Sequence, residues 1–331
     1  MNGAWQEFLG TGIEWDFFVT SMPRFDVRHC FAWGESVKLS GRDLRRLVCV
    51  NSQGKIVTAI QFSVKKFPFG GTFFYADGGA VGGLSTIADV REHLTKIAGN
   101  QSWLLRSFFT LDRAAGDVAA LHEAGFDPAL SVIHSGLSAT LHFSDNFSSL
   151  KETASGNWRH NLTRGRGRIS GVELWANPSV SAIIRTYQEF EAGKGVAKQF
   201  ADRTIEGLVK GLNNNLVVCR ALDSEGNILS LRGAAILGSR GLDIFAATTP
   251  KGRESYASQV VTDELLKACF SRGVRVYDFG GIDPRHGKGV YTLKSGTGAV
   301  PSEYLGEWDL APRNVIRLAA NFMFFLRKRR V

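Results

Sequence analysis

Two lysines flank a glycine-rich bend near the end of the sequence: Lys288 and Lys294 follow Gly280-Gly281 within the stretch 276–310. The glycines can take positive φ or let a ligand approach the backbone, and the lysines add cations, an arrangement suited to an anion or a polarised carbonyl. Asp278, Asp283 and His286 are the nearby proton-accepting groups. Asp278 is expected to anchor the strand end, while Asp283 and His286 serve either loop hydrogen bonding or catalysis. A second cationic cluster, Lys251 and Arg253 around Gly252, precedes a helical pattern from Ser255 to Arg272, whose first amides would suit a phosphate. Four arginines and a histidine crowd 159–168, either to grip RNA phosphates or as a solvated surface. The seven histidines show neither Ser-His-Asp order nor metal-ligand spacing, so no metal site is expected.

The elements that must position these groups read as two copies of one order. In the first half, strand patterns at Leu47–Val50, Ile56–Val64 and Phe73–Tyr75 precede glycines 78–83 and a helix over Ser85–Ala98. A strand at Trp103–Phe109, a helix near Ala114–Ala124 and a strand near Val132–Leu141 follow. In the second half, helices over Val180–Glu191 and Asp202–Leu212 precede strands Val217–Leu222, Ile228–Leu237 and Leu242–Ala247. The helix Ser255–Arg272 and a strand at Val274–Phe279 complete it. The turns Asn51–Lys55 and Asp223–Asn227 make each half open on a hairpin. The polar break at 144–149 predicts a boundary: a first domain over 1–147, a second over 148–312 carrying the lysine-rich bend, and a basic C-terminal helix over 313–331.

Three segments in order carry a resemblance: Tyr277-Asp278-Phe279-Gly280-Gly281-Ile282, Tyr291-Thr292-Leu293-Lys294-Ser295-Gly296 and Glu303-Tyr304-Leu305-Gly306-Glu307. Together they resemble the closing signature of the Fem-type (FemABX) peptidyltransferases, which move amino acids from aminoacyl-tRNA onto a peptidoglycan precursor. The resemblance implies an α+β fold of two tandem GNAT-like domains, each a mixed, mostly antiparallel sheet flanked by helices. It also implies that Lys294 stabilises the oxyanion of aminoacyl transfer, and that Trp33–Lys38 and Arg203 meet substrate phosphates through Lys38 and the guanidinium. The resemblance further implies a substrate-facing aromatic position for Tyr256. The sequence departs from the family pattern at Leu293, where an aromatic residue is usual, at Gly207, where a tyrosine is expected, and at Gly79–Gly83, where an aspartate is missing. All three departures concern substrate positions, so an altered acceptor is expected: an amine-bearing metabolite, an amino sugar or another cell-envelope precursor, phosphorylated or lipid-linked.

The donor implied is aminoacyl-tRNA as co-substrate, with no bound cofactor. Acyl-CoA is the alternative donor, disfavoured because only Gly252 remains of the glycines that hold pyrophosphate in acyl-CoA-dependent GNAT enzymes. The expected substrate-binding set is therefore Lys38, Arg203, Arg253, Tyr256, Gly280, Gly281 and Lys288, with Lys294, Asp283 and His286 catalytic. A rival of another class is a non-catalytic RNA- or membrane-surface-binding module.

With 331 residues, 44% hydrophobic and 21% charged, the chain can bury ample core and disorder is excluded. A net charge of +9 points to an anionic partner without choosing one. The four cysteines are far apart, arguing against a disulfide framework and for a reducing, cytoplasmic setting. The N-terminus lacks the pattern of a signal peptide and no apolar run is long enough to span a membrane. The final segment ends in consecutive cations beside phenylalanines, so it would either hold the protein peripherally on the inner membrane face or pack on the second domain.

Overall fold

The structure, a computed structural model, describes residues 3–67, 70–99, 101–195, 198, 200–284 and 287–328. The strands are β1 (Ala4–Glu7), β2 (Asp43–Val50), β3 (Ile56–Lys66), β4 (Thr72–Gly78), β5 (Ala80–Gly82), β6 (Trp103–Asp112) and β7 (Asp127–Pro128). Then come β8 (Leu137–His142), β9 (Gly171–Leu174), β10 (Leu216–Leu222), β11 (Ile228–Leu237), β12 (Arg240–Thr248), β13 (Val276–Gly281) and β14 (Val300–Leu310).

The chain forms two compact units, one of Met1–Gly136 with Glu303–Val331 and one of Leu137–Ser302. The boundary is thus at Gly136/Leu137 rather than near 148, and the residues from Glu303 onward, including the C-terminal helix Asn314–Lys328, return to the first unit. Pairing explains the difference. In the first unit, β1, β2, β3, β4 and β6 lie side by side and β14 completes the sheet antiparallel to β6. In the second, β9 to β13 lie side by side and β8 completes the sheet antiparallel to β13. Each sheet is antiparallel except for one parallel pair, β4 with β6 and β12 with β13. The duplicated order expected from sequence is therefore real, with the last strand of each unit drawn from a remote part of the chain.

The two hairpins are built alike. The Asn51 carboxamide oxygen accepts from the amides of Gln53 and Lys55, each at 3.0 Å, and Gly54 takes φ +76. The Asp223 carboxylate accepts from the amides of Glu225 at 3.0 Å and Asn227 at 2.9 Å, and Gly226 takes φ +79. In both, a short polar side chain bonds backbone two and four residues on, and a glycine supplies the left-handed corner. The described residues before β2, without predicted elements, hold β1 and the helices Gly12–Ser21 and Phe31–Leu39. In the second unit, the helix Ala257–Ser271 buries Val261, Leu265, Leu266 and Cys269 in the core beneath the sheet.

Candidate active site

β12 and β13 are in register only from Arg240 opposite Val276 to Leu242 opposite Asp278. The matching parallel pair of the first unit stays in register from Thr72 opposite Trp103 to Gly78 opposite Phe109. Where β12 and β13 part, Asp243 follows on one strand and Phe279-Gly280-Gly281 on the other. A cavity of about 980 Å³ in the second unit has Asp243, Arg232, Arg253, Lys288, Lys294 and Trp158 among its lining residues.

Lys294 stands in the last turn of the helix Lys288–Gly296, where sequence suggested a loop. The amide of Gly287 closes a turn on the Asp283 carbonyl at 2.8 Å and starts that helix. The Thr297 hydroxyl ends it by donating to the Lys294 carbonyl at 2.7 Å. The glycines at 287, 289 and 296 made this stretch read as a loop, but Gly296 is there for packing: a Cβ on it would lie 3.0 Å from the Trp158 ring. The side chain of Lys294 is 8% exposed, and its Nζ donates to the carbonyls of Gly281 at 2.7 Å and Gly280 at 3.3 Å. An ammonium has three donors, so a third hydrogen remains for a ligand in the cavity. Burial pushes the Lys294 pKa below the ordinary lysine value; Asp243 works against that shift and Arg232 with it.

Behind the lysine is a buried ionic network that sequence reading did not single out. Arg232 Nε and Nη2 grip the Asp243 carboxylate at 2.8 and 2.7 Å, Tyr277 Oη donates to Asp243 Oδ1 at 2.9 Å, and Arg232 Nη1 donates to Thr262 Oγ1 at 3.1 Å. Such a pair is tolerable inside a protein only with its lone pairs and protons satisfied, as they are here. The signal was present as a single charge in the middle of each of two apolar strands, Leu231-Arg232-Gly233 and Leu242-Asp243-Ile244. Isolated buried charges require each other.

The expected site residues separate into groups. Lys294, Lys288 and Arg253 line the cavity, and Gly280 and Gly281 hold the lysine amine through their carbonyls. Gly280 takes φ +71, so this bend requires the glycine. Asp278 accepts from the Ser138 hydroxyl and from the Gly280 amide at 2.7 Å, the anchoring role expected of it. Asp283 is exposed, closes the turn to Gly287 with its carbonyl, and is absent from the cavity lining; His286 lies outside the described residues. Tyr256, at φ +58, is also absent from that lining, and its ring lies under the guanidinium groups of Arg164 at 4.8 Å and Arg168 at 5.3 Å. Arg203 is exposed on the helix Asp202–Leu212 and is absent from the cavity lining. In the first unit Lys38 pairs with Glu35 at 3.0 Å, while Trp33 borders a small pocket of about 40 Å³ with Tyr75 and Asp77.

The basic run 158–168 belongs mostly to the helix Gly156–Arg166, capped by Ser155, whose hydroxyl accepts from the Trp158 amide at 3.2 Å. Its interrupting glycine has a packing cause: a Cβ on Gly165 would lie 2.8 Å from the Tyr256 carbonyl oxygen. Asn157, Trp158 and Asn161 turn into the cavity from this helix.

The turn before the helix Ala257–Ser271 has little to offer a pyrophosphate. Pro250 has no N–H, Gly252 N donates to Thr249 Oγ1 at 3.1 Å, and the amides of Arg253, Ser255 and Tyr256 donate to the carbonyls of Thr249, Lys251 and Arg253. Lys251 is held by Asp223 at 2.7 Å.

The architecture defines a class, the tandem GNAT-like proteins. A crystal structure of FemX matches with a TM-score of 0.80 at 18% identity, over 96% of this chain and 100% of that chain. A tandem GNAT protein from the clavulanic acid biosynthesis pathway matches with a TM-score of 0.58 at 13% identity, over 94% of this chain and 98% of that one. L-PGS from Bacillus licheniformis matches with a TM-score of 0.59 at 11% identity, over 96% of this chain and 97% of that one. No curated sequence matches the chain. Within that class the resemblance read from the tail motifs is shown: the model of the FemAB family matches residues 221–323, a span that takes in β11 to β14, the Arg232–Asp243 pair and Lys294. Among the described residues no group of His, Cys, Asp and Glu could hold a metal ion, and no helix is long and apolar enough to cross a membrane.

Proposed function

We propose that the second unit transfers an aminoacyl group from aminoacyl-tRNA to an amine-bearing acceptor. The observation that carries this reading is the Lys294 ammonium, buried in the cavity wall and fixed by the Gly280 and Gly281 carbonyls beside the Arg232–Asp243 pair. The acceptor nitrogen attacks the ester carbonyl, the new C–N bond forms as the carbonyl π pair moves onto oxygen, and the Lys294 N–H meets that oxygen. Collapse of the intermediate breaks the C–O bond to the ribose, and the proton lost by the amine ends on the departing hydroxyl. A preorganised donor aimed at the developing oxyanion lowers the barrier without reorganisation during the reaction. Holding both reactants in one cavity supplies the remaining advantage. Arg253 and Lys288 bring positive charge to the lining of the same cavity, suited to the phosphate-rich acceptor end of a tRNA.

The internally bonded amides between Pro250 and Tyr256 favour this donor over acyl-CoA, because a pyrophosphate would find few free N–H groups there. The test is transfer of labelled amino acids from charged bulk tRNA to a panel of amino sugars, amino acids and nucleotide-linked amines, read by mass spectrometry. Amide product that disappears after ribonuclease treatment is the expected result. Product made from acetyl-CoA alone, with none from charged tRNA, would overturn it.

A further inference from the structure

We propose that the helix Asn314–Lys328 is a docking face for the surface of an anionic lipid bilayer. One side of this helix is tied to the first unit by polar anchors. Asn321 is buried; its carboxamide oxygen accepts from Arg106 Nη2 at 2.8 Å and from the amides of Leu130 and Ser131 at 3.0 and 2.9 Å, and its Nδ2 donates to Asp309 at 2.7 Å. The ring of Phe324 lies 4.4 Å from the Arg106 guanidinium and 5.4 Å from the Phe73 ring. Arg317 reaches Asp127 at 3.3 Å.

The opposite side is apolar and open to solvent. Val315 is 65% exposed, Leu318 46%, Phe322 61% and Leu326 42%. Their spacing of three, four and four residues lays them in one stripe, turned away from Arg317, Asn321 and Phe324. A contiguous apolar stripe on the surface of a folded unit marks an interaction surface. Charge selects the occupant. From Ala311 to Val331 the sequence has Arg313, Arg317, Arg327, Lys328, Arg329 and Arg330 and no aspartate or glutamate, although the whole chain has 31 acidic residues. A second copy docking here would set like charges against each other, whereas an anionic membrane accepts the apolar stripe among its acyl chains and the cations among its headgroups. The helix Gly12–Ser21 is the built-in comparison: it exposes Ile13 and Phe17, at 83% and 76%, but has Glu14 and Asp16 between them.

The experiment is flotation of the full chain with vesicles of phosphatidylcholine alone or mixed with phosphatidylglycerol. Binding to the mixed vesicles at least about tenfold tighter than to neutral ones, and weakened by salt, is expected from attraction of the cations to the anionic surface. The combined variant Leu318→Ser, Phe322→Ser, Leu326→Ser should lose that binding about tenfold or more, with an unchanged melting temperature because these side chains face away from the anchors. Ile13→Ser with Phe17→Ser should bind as wild type. Equal binding to both vesicle types, or retention of binding by the triple variant, overturns the proposal. So does a wild-type chain that ignores vesicles and sediments as a dimer that the triple variant breaks.

Discussion

At the residue scale the proposed transfer rests on one ammonium, that of Lys294, whose charge is opposed by burial. Lys294→Met keeps most of the side-chain volume and removes the donor, so kcat should fall about 10²–10³-fold with little change in KM, as for loss of one oxyanion donor. A kcat near that of the wild type would move the role to another residue. In the proposed mechanism the cation is the active form, so activity should fall as pH rises through the Lys294 pKa, which burial sets below the ordinary value of 10.5. Asp243 favours the charged amine, and Asp243→Asn should therefore move this basic limb to lower pH. The same change leaves Arg232 buried without its partner and should cost about 3–5 kcal/mol, so the profile must be compared at a temperature where the variant is folded. A limb that stays in place would mean that Asp243 serves structure alone. That Lys294 meets the Gly280-Gly281 bend was legible in the sequence, because motif and local chemistry coincide there. Arg232 and Asp243 were not, because their partnership depends on the register of β11 against β12, which includes a bulge between Gly233 and Ala234.

At the element scale, the hairpins, the long helices and the parallel strands were readable from alternation, turn residues and helical spacing. The strand β14 was not. Pro301, Glu303 and Glu307 interrupt its apolar pattern, and Gly306 sits at φ +91 where its pairing with β6 shifts register. Glu307 is buried there because the loop before β8 supplies its partners. Its carboxylate accepts from the Ile133 amide at 2.9 Å, the His134 amide at 2.8 Å and the His134 ring at 2.9 Å. Burial pushes the Glu307 pKa up, but the His134 ring and these amides outweigh it, and the folded value falls below the ordinary 4.5. A carboxyl so depressed adds stability above its unfolded pKa that is lost as pH falls through the folded one. Glu307→Gln should thus flatten the decline of the melting temperature below pH 4.5, and an unchanged acid limb would count against the assignment. Glycine substitutions offer a second check on the elements. A Cβ on Gly252 would lie 2.0 Å from the Leu229 carbonyl oxygen, so Gly252→Ala must displace the turn after β12 and lower the melting temperature. Gly116 meets nothing within 4 Å in the helix Ala115–Glu123, and Gly116→Ala should be neutral or stabilise by about 0.4–1 kcal/mol. Equal effects of the two would discount the close approach.

At the scale of the whole molecule, the two units do not follow the order of the chain, and this was the feature least accessible to sequence reading. Local patterns show that a strand exists but not which sheet it joins, and the polar break at 144–149 drew the boundary to the wrong side of β8. The first unit takes β14 and the final helix from the end of the chain, and its core includes Leu305, Trp308 and Leu310 from that strand. Arg106, with no exposed side-chain surface, pairs with Asp309 of β14 at 2.8 Å. A fragment of residues 1–147 therefore lacks an apolar layer of its core and leaves a buried guanidinium without its carboxylate, a loss of about 3–5 kcal/mol from the ion pair alone. Marginal stability of about 5–15 kcal/mol for a typical domain cannot absorb that together with the missing core. The fragment 137–302 retains β8 to β13, the Arg232–Asp243 pair and Lys294 within one unit. It should unfold cooperatively by circular dichroism and calorimetry, whereas 1–147 should show no cooperative transition. Restoring residues 303–331 to the first fragment through a flexible linker should restore the transition. A cooperative melt of 1–147 by itself would show that β14 is an accessory of the first unit and that its core closes without it.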